Sequence, residues 1–159
     1  MIRVQREAFD AGAEITALTA GRHGIGGVAS FVGLVRDDTG DLAALTLEHY
    51  PGMTEAALAS IEAEAAARWP LEASLIVHRY GRMVPGEGIV LVVTASAHRR
   101  AAFEACSFLM DWLKTEAPFW KLEETRDGSE RWVEARESDM QAAAGWGGSE
   151  PDLGGENHG

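Results

Sequence analysis

One segment constrains the fold more than any other: an apolar run at residues 88–97 that leads directly into a helical pattern. The run GIVLVVTASA is almost wholly apolar, which predicts a strand buried on both faces and therefore central in its sheet. From residue 99 to about 116 apolar side chains recur at helical spacing, and Pro118 marks the end. The apolar positions of this helix are Phe103, Cys106, Met110 and Leu113. The unit predicts a sheet with a helix packed against it.

Shorter patterns surround this unit. Residues 28–36 and 42–50 are both β-rich and are separated by the turn residues DDTGD, so we expect them to form a hairpin. Residues 55–69 carry strong helix formers with an Ala/Ile/Leu stripe and predict an amphipathic helix. Further segments are predicted as a strand at 2–9, a helix at 11–20, a strand at 73–81 and a final hairpin from 119–124 and 131–135. Together they predict one α+β domain with a mainly antiparallel sheet and packed helices.

The size of the chain fits this single domain. Its 159 residues, 46% of them hydrophobic, suffice to bury one core. We place the domain at residues 1–146 and expect the Gly-rich tail at 147–159 to be disordered. No stretch approaches the length of a membrane span, and the first residues lack the apolar core of a signal peptide. A cytoplasmic location without membrane contact is expected.

The charge of the chain is strongly acidic, yet its lysines are confined to one short segment. A net charge of −11 argues against binding to nucleic acid, which needs clustered Lys and Arg. Of the 14 basic residues only Lys114 and Lys121 are lysines, both in LKTEAPFWK. One interpretation is a compositional preference for Arg. The other is chemical, because a partly desolvated lysine can lose its proton, whereas Arg stays charged.

Two places in the sequence favour an anion. At residues 96–100, SAHRR, a buried strand enters a helix whose unpaired N–H groups attract negative charge, and His98 and Arg99 add cations there. The alternative is that the arginines are solvated and His98 merely caps the helix. Lys114 follows Met110 by one turn, at the edge of the apolar stripe, where desolvation makes an amine responsive to an anionic substrate. A snorkelling lysine is the alternative. Arg36 is a third, weaker candidate.

Other chemistries find little support. The histidines lack metal-ligand spacing, and a single cysteine excludes cysteine-rich zinc and iron–sulfur sites. No nucleophile elbow, P-loop or dinucleotide fingerprint is present. Cys106 lies mid-helix on the apolar face, which favours packing over a reactive thiol, although a persulfide carrier stays open as an alternative. We therefore expect no metal and no dissociable cofactor.

With these segments identified, the chain resembles the family of molybdopterin synthase catalytic subunits. The resemblance covers most of the chain from about Phe31 to Asp139. The matching runs, in order, are SFVGLVRD, LTLEHYPGMTE, VHRYG, TASAHRRAAFEA, FLMDWLKTEAPFWKLE and RWVEARESD. Leu34 stands where relatives often have a basic residue, and the tail beyond Trp146 has no counterpart.

The resemblance implies a fold, partners and a reaction. The fold is a single α/β hammerhead domain that forms a homodimer within a heterotetramer, each copy binding one ubiquitin-like small subunit, the sulfur carrier. That subunit ends in Gly-Gly carried as a thiocarboxylate. The enzyme is a sulfurtransferase that adds two sulfurs to cyclic pyranopterin monophosphate, forming the dithiolene of molybdopterin in molybdenum cofactor biosynthesis. The alternative is a non-catalytic docking module for a ubiquitin-like protein.

The resemblance also assigns residues. Lys114 and Lys121 match the catalytic lysines, one holding or activating the thiocarboxylate and the other moving a proton or stabilising charge on the pterin. The residues that match the substrate pocket are Arg36, His98, Arg99, Phe31, Met110, Glu123 and Arg136. Both reactants are anions and the chain is acidic. The resemblance therefore leads us to expect the two lysines and the basic residues of this set to gather in one pocket.

Overall fold

Two four-stranded sheets and three helices make up the part of the chain that the structure, a computed structural model, describes: residues 1–133 and 143–146. The elements in chain order are β1 (Ile2–Gln5), α1 (Ala11–Thr19), β2 (Gly27–Leu34), β3 (Leu42–His49), α2 (Met53–Arg68), β4 (Leu71–Arg79), β5 (Gly81–Met83), β6 (Gly88–Ser96), α3 (Arg99–Thr115), β7 (Phe119–Thr125) and β8 (Glu130–Val133). This is the predicted α+β architecture. None of these helices is long and apolar enough to cross a membrane.

The first sheet has the strand order β1-β4-β6-β2, so β6 is central as its apolar sequence predicts. Only β1 and β4 run parallel; β4 and β2 both pair antiparallel to β6. One face of the sheet packs against α2 and α3 in the largest core cluster, which includes Ile76, Val92 and Leu109. The other face packs against α1 through Leu75 and Val77. Both faces of β6 are therefore buried.

The second sheet has the order β5-β3-β7-β8. The predicted final hairpin, β7 with β8, is confirmed, and Gly128 supplies the positive φ of 88° that its turn requires. The predicted hairpin between residues 28–36 and 42–50 is wrong, because β2 pairs with β6 in the first sheet while β3 pairs with β5 and β7 in the second. The turn residues between them carry the chain from one sheet to the other.

The start of α3 is held against the edge strand β2 by close backbone contact. A Cβ on Gly26 would lie 2.0 Å from the Ala97 carbonyl oxygen, and one on Gly27 would lie 3.2 Å from Cα of Arg99. Only glycine allows this approach. Since α3 then runs back over β2 and β6, its last turn lies toward the end of the sheet where β2 ends and β6 begins.

Residues 143–146 return to the helices after β8. The Trp146 indole packs edge-on against Trp69 and Phe108, with ring centroids 5.7 and 5.6 Å away, and its Nε1 donates to Asp111 at 2.5 Å. Arg68 donates to the Trp146 carbonyl at 3.2 Å. The chain thereby covers an apolar groove between α2 and α3.

Candidate active site

The two lysines predicted to be catalytic lie at one end of the molecule. Lys114 is in the last turn of α3 and is exposed, and Lys121 is in β7 and is half-buried. Only residues 116–118 separate the helix from the strand, with a tight turn in which the Phe119 amide donates to the Ala117 carbonyl at 2.8 Å. The short connection keeps both amines on the same side of the protein.

The charges of both lysines help to lower the pKa of one buried imidazole, that of His78 in β4. Its ring stacks on Phe119 with centroids 3.8 Å apart and planes 14° from parallel. Burial lowers the pKa of His78 to about 4; a hydrogen bond with the Arg79 carbonyl opposes the shift, and the charges of Lys121, His49 and Lys114 add to it. His78 is therefore neutral at pH 7. Because Nδ1 lies 2.9 Å from the Arg79 carbonyl, which only accepts, Nδ1 carries the proton.

A second histidine completes this cluster. His49, at the end of β3, contacts the rings of Tyr80 and Phe119 at centroid distances of 4.5 and 5.9 Å, and its Nδ1 lies 3.0 Å from Thr54 Oγ1. We call the group formed by Lys114, Lys121, His78, His49 and Phe119 the lysine end. The sequence analysis missed both histidines because it tested them only as metal ligands, although they stand in the matching runs LTLEHYPGMTE and VHRYG.

Four of the predicted pocket residues lie on the elements that lead to the lysine end. Arg36 follows β2 and is exposed, paired with Asp38 at 3.1 Å. Glu123 lies on the same face of β7 as Lys121 and pairs with Arg131 at 2.7 Å. Met110 is buried one turn before Lys114, and Phe31 lies mid-strand in β2, 40% exposed. Among these, Glu123 is closest in the strand to a lysine.

His98 and Arg99 lie at the opposite end of α3. We call His98, Arg99, Arg100 and Phe103 the α3 start; all four are exposed. His98 occupies the N-cap position without a side-chain capping bond, and the first turn holds no acidic residue. From His98 to Lys114 the helix rises roughly 24 Å at ~1.5 Å per residue. The single pocket expected from the sequence is therefore not formed within one chain.

Phe103 corrects the predicted apolar stripe. It lies two turns before Met110 on nearly the same face of α3, yet it is 64% exposed while Met110 is 8% exposed. The periodicity is right, but within the described residues only the later part of that stripe is covered. Phe103 instead borders a shallow depression with His98, Arg99, Arg100 and Glu104.

Two other predictions from the sequence concern residues away from these ends. Burial raises the pKa of the Cys106 thiol to about 11, partly offset by a hydrogen bond with Thr94, so the thiolate that a sulfur carrier needs is disfavoured. Arg136 and the tail at 147–159 lie outside the described residues. Within residues 1–133 and 143–146, no three His, Cys, Asp or Glu side chains come together in a way that could hold a metal ion.

The fold and the lysine end define a class: small α+β proteins with two amines placed beside a buried neutral imidazole. Comparison with known proteins then identifies the family. The model of the MoaE protein family matches residues 4–116. The molybdopterin synthase catalytic subunit of Mesorhizobium japonicum is 61% identical over 146 residues, covering 91% of this chain and 92% of that protein. The chain therefore belongs to the MoaE protein family and is an enzyme subunit.

Solved structures agree with this assignment. The molybdopterin biosynthesis MoaE protein from Burkholderia ambifaria has a TM-score of 0.80 and 56% identity, covering 92% of this chain and 97% of that chain. The molybdopterin synthase from Staphylococcus aureus has a TM-score of 0.75 and 30% identity, covering 82% and 95%. At this coverage the shared fold includes most of the two sheets and the helices packed on them.

Proposed function

We propose that this chain is the catalytic subunit of a molybdopterin synthase in the cytoplasm. It transfers sulfur from the C-terminal thiocarboxylate of a ubiquitin-like small subunit to cyclic pyranopterin monophosphate, and it forms a homodimer within a heterotetramer. The observation that carries the proposal is the convergence of the only two lysines in the chain on one end of the fold, beside a neutral imidazole. A structure from Helicobacter pylori, a protein-protein complex of subunits 1 and 2 of molybdopterin-converting factor, shares the fold with a TM-score of 0.70 at 20% identity.

The chemistry of the lysine end suits this reaction. A thiocarboxylate and a cyclic phosphate repel each other, and the protein adds a net charge of −11. The half-buried amine of Lys121 offsets that repulsion more effectively than a solvated amine would, since screening is weaker there, and the exposed Lys114 adds a second positive charge at the same end. Lys114 and Lys121 divide two roles, holding or activating the thiocarboxylate and moving a proton or stabilising charge on the pterin.

A second copy supplies what one chain lacks. The α3 start presents two arginines at the positive end of a helix dipole, together with the exposed Phe103 ring. In a two-fold dimer, a contact between two different surfaces of the protomers occurs twice. The α3 start of each protomer can therefore face the lysine end of its partner. His98, Arg99 and Arg136 of the second copy would then bind the phosphate. Burial of Phe103 would stabilise the same contact.

The test is dithiolene formation by the purified chain with a thiocarboxylated small subunit and the pterin precursor. Lys114→Ala should lower turnover at least ~100-fold, the scale of lost acid–base or charge stabilisation, while binding of the small subunit changes little. Arg22→Ala removes an exposed cation elsewhere and serves as the control. If wild-type protein binds the small subunit but produces nothing, the chain is a docking module instead.

A further inference from the structure

We propose that His78 and Phe119 form a positioning element that sets the location of both lysines relative to each other. The inference rests on the proposed function and adds residues for which the sequence offered no role. The pair joins the two sheets, because His78 belongs to the first sheet and Phe119 begins β7 in the second. Neither residue is proposed to touch substrate.

His78 is the fixed half of the pair. It lies on the inner strand β4, in register with Val4 on one side and Val90 on the other. Its ring orientation is set by the bond from Nδ1 to the Arg79 carbonyl at 2.9 Å, and the side chain is 7% exposed. A ring held by two neighbouring strands and a backbone hydrogen bond has little freedom to move.

Phe119 is the half that carries the lysines. Side chains two residues apart on a strand share a face, so Phe119 and Lys121 point to the same side of β7. In the other direction only residues 116–118 separate Phe119 from the end of α3, whose last turn holds Lys114. Stacking Phe119 on the fixed ring therefore holds in place the two backbone segments that carry the amines.

The neutral state of His78 is part of this role. The groups whose charges act on it are Lys121, His49 and Lys114, all basic. A charged imidazole there would repel both amines and push them apart, whereas the stacked neutral ring tolerates them. An uncharged ring, unlike a carboxylate, also does not compete with an anionic substrate for the two lysines.

The first experiment measures turnover in three variants. His78→Ala should lower kcat about 100-fold, the loss typical of a misplaced catalytic group, with the KM for the pterin changing less than about threefold. His78→Phe keeps a ring to stack on Phe119 and should restore kcat to within about fivefold of wild type. Val77 directly precedes His78 on β4 but faces α1. Val77→Ala therefore controls for loss of core packing and should leave kcat near wild type.

The second experiment reads the lysines without any activity. Reductive methylation with ¹³C-formaldehyde labels the two lysines and the N-terminal amine, and Lys→Arg variants assign the signals. His78→Ala should shift the Lys114 and Lys121 signals, and His78→Phe and Val77→Ala should leave them close to wild type. The proposal is overturned if His78→Ala leaves both signals unmoved, or if Val77→Ala moves them as far. Failure of the proposed function shows separately, as an inactive wild type.

Discussion

The two ends of α3 carry similar charges but differ in what surrounds them. At the lysine end, Lys114 follows the buried Met110, and the chain turns at once into β7, where Phe119 stacks on His78. At the α3 start, His98 and Arg99 are exposed, and no other described element covers Phe103. The lysine end is packed against other elements of the fold, whereas the α3 start is an exposed surface. Under the proposed function, a second copy of the chain would complete the α3 start.

The electrostatics of the two ends lead to the same conclusion. Each concentrates positive charge within an acidic chain, so each favours an anion. Roughly 24 Å of helix separates them, at ~1.5 Å per residue. A small pterin phosphate cannot span that distance, and the two ends of one chain therefore cannot act on the same molecule. Under the proposed function, each site would combine one lysine end with the α3 start of a second copy.

The largest expected effect comes from mixing two inactive variants. If sites form across the dimer, Lys114→Ala and Arg99→Ala chains should each be inactive alone, whereas their heterodimer holds one intact site. Random exchange of subunits should then restore roughly a quarter of wild-type turnover, from about 1% or less for each variant. The measurement is dithiolene formation after refolding the two chains together. Absence of any recovery would contradict a site shared between two copies.

The next effect concerns the support of α3 between its two ends. Trp146→Ala removes an indole packed on Trp69 and Phe108 and should lower the free energy of unfolding by about 2 to 3 kcal/mol, below the range for a fully buried Trp because the residue is only half-buried. Trp132→Ala, at a position 59% exposed, is the matched control and should cost less than about 1 kcal/mol. Urea unfolding measures both. Equal losses would show that Trp146 does not anchor the helices.

Much of this fold follows from local patterns. The apolar run of β6 predicted its central place, and two short segments joined by turn residues predicted the β7–β8 hairpin. Capping residues, helix formers and helical spacing predicted the three helices. Which strands pair was less accessible, because turn residues between β2 and β3 indicate a change of direction without saying whether the strands enter the same sheet. The three-residue strand β5 was too short to give a pattern.

For the candidate site, residue types in the sequence indicated which side chains carry the chemistry, but the sequence was not read for the distances between them. The rarity of lysine pointed to Lys114 and Lys121, which the fold places at one end. The separation of His98 from Lys114 follows from helix length, but it was overlooked because both stood in runs matching one family pocket. His78 could not be found from sequence, since its lowered pKa depends on burial and on neighbours that come from other elements.

A smaller effect is the pH dependence of the free energy of unfolding that His78 contributes at the lysine end. The native state resists protonation of His78, whose pKa is lowered to about 4, while the unfolded chain protonates near the ordinary value of 6.5. The stability contribution is therefore complete above pH 6.5 and decreases as the pH falls toward 4, by about 2 kcal/mol between pH 7.5 and 5.0. His78→Phe should remove that part of the slope in urea unfolding. Parallel slopes for wild type and variant would mean that His78 protonates freely in the folded protein.

The smallest effect is expected midway between the two ends, at Cys106. Its thiol is buried and hydrogen-bonded to Thr94, with the pKa raised to about 11, so Cys106→Ser should cost roughly 1 kcal/mol of stability as a buried sulfur becomes a hydroxyl that can keep the bond. Turnover should stay within about twofold of wild type, because neither end of α3 changes. The assay is dithiolene formation beside urea unfolding. A variant that folds normally but transfers no sulfur would instead make Cys106 a sulfur carrier, and the division of the site between two ends of α3 would have to be replaced by a relay through its middle.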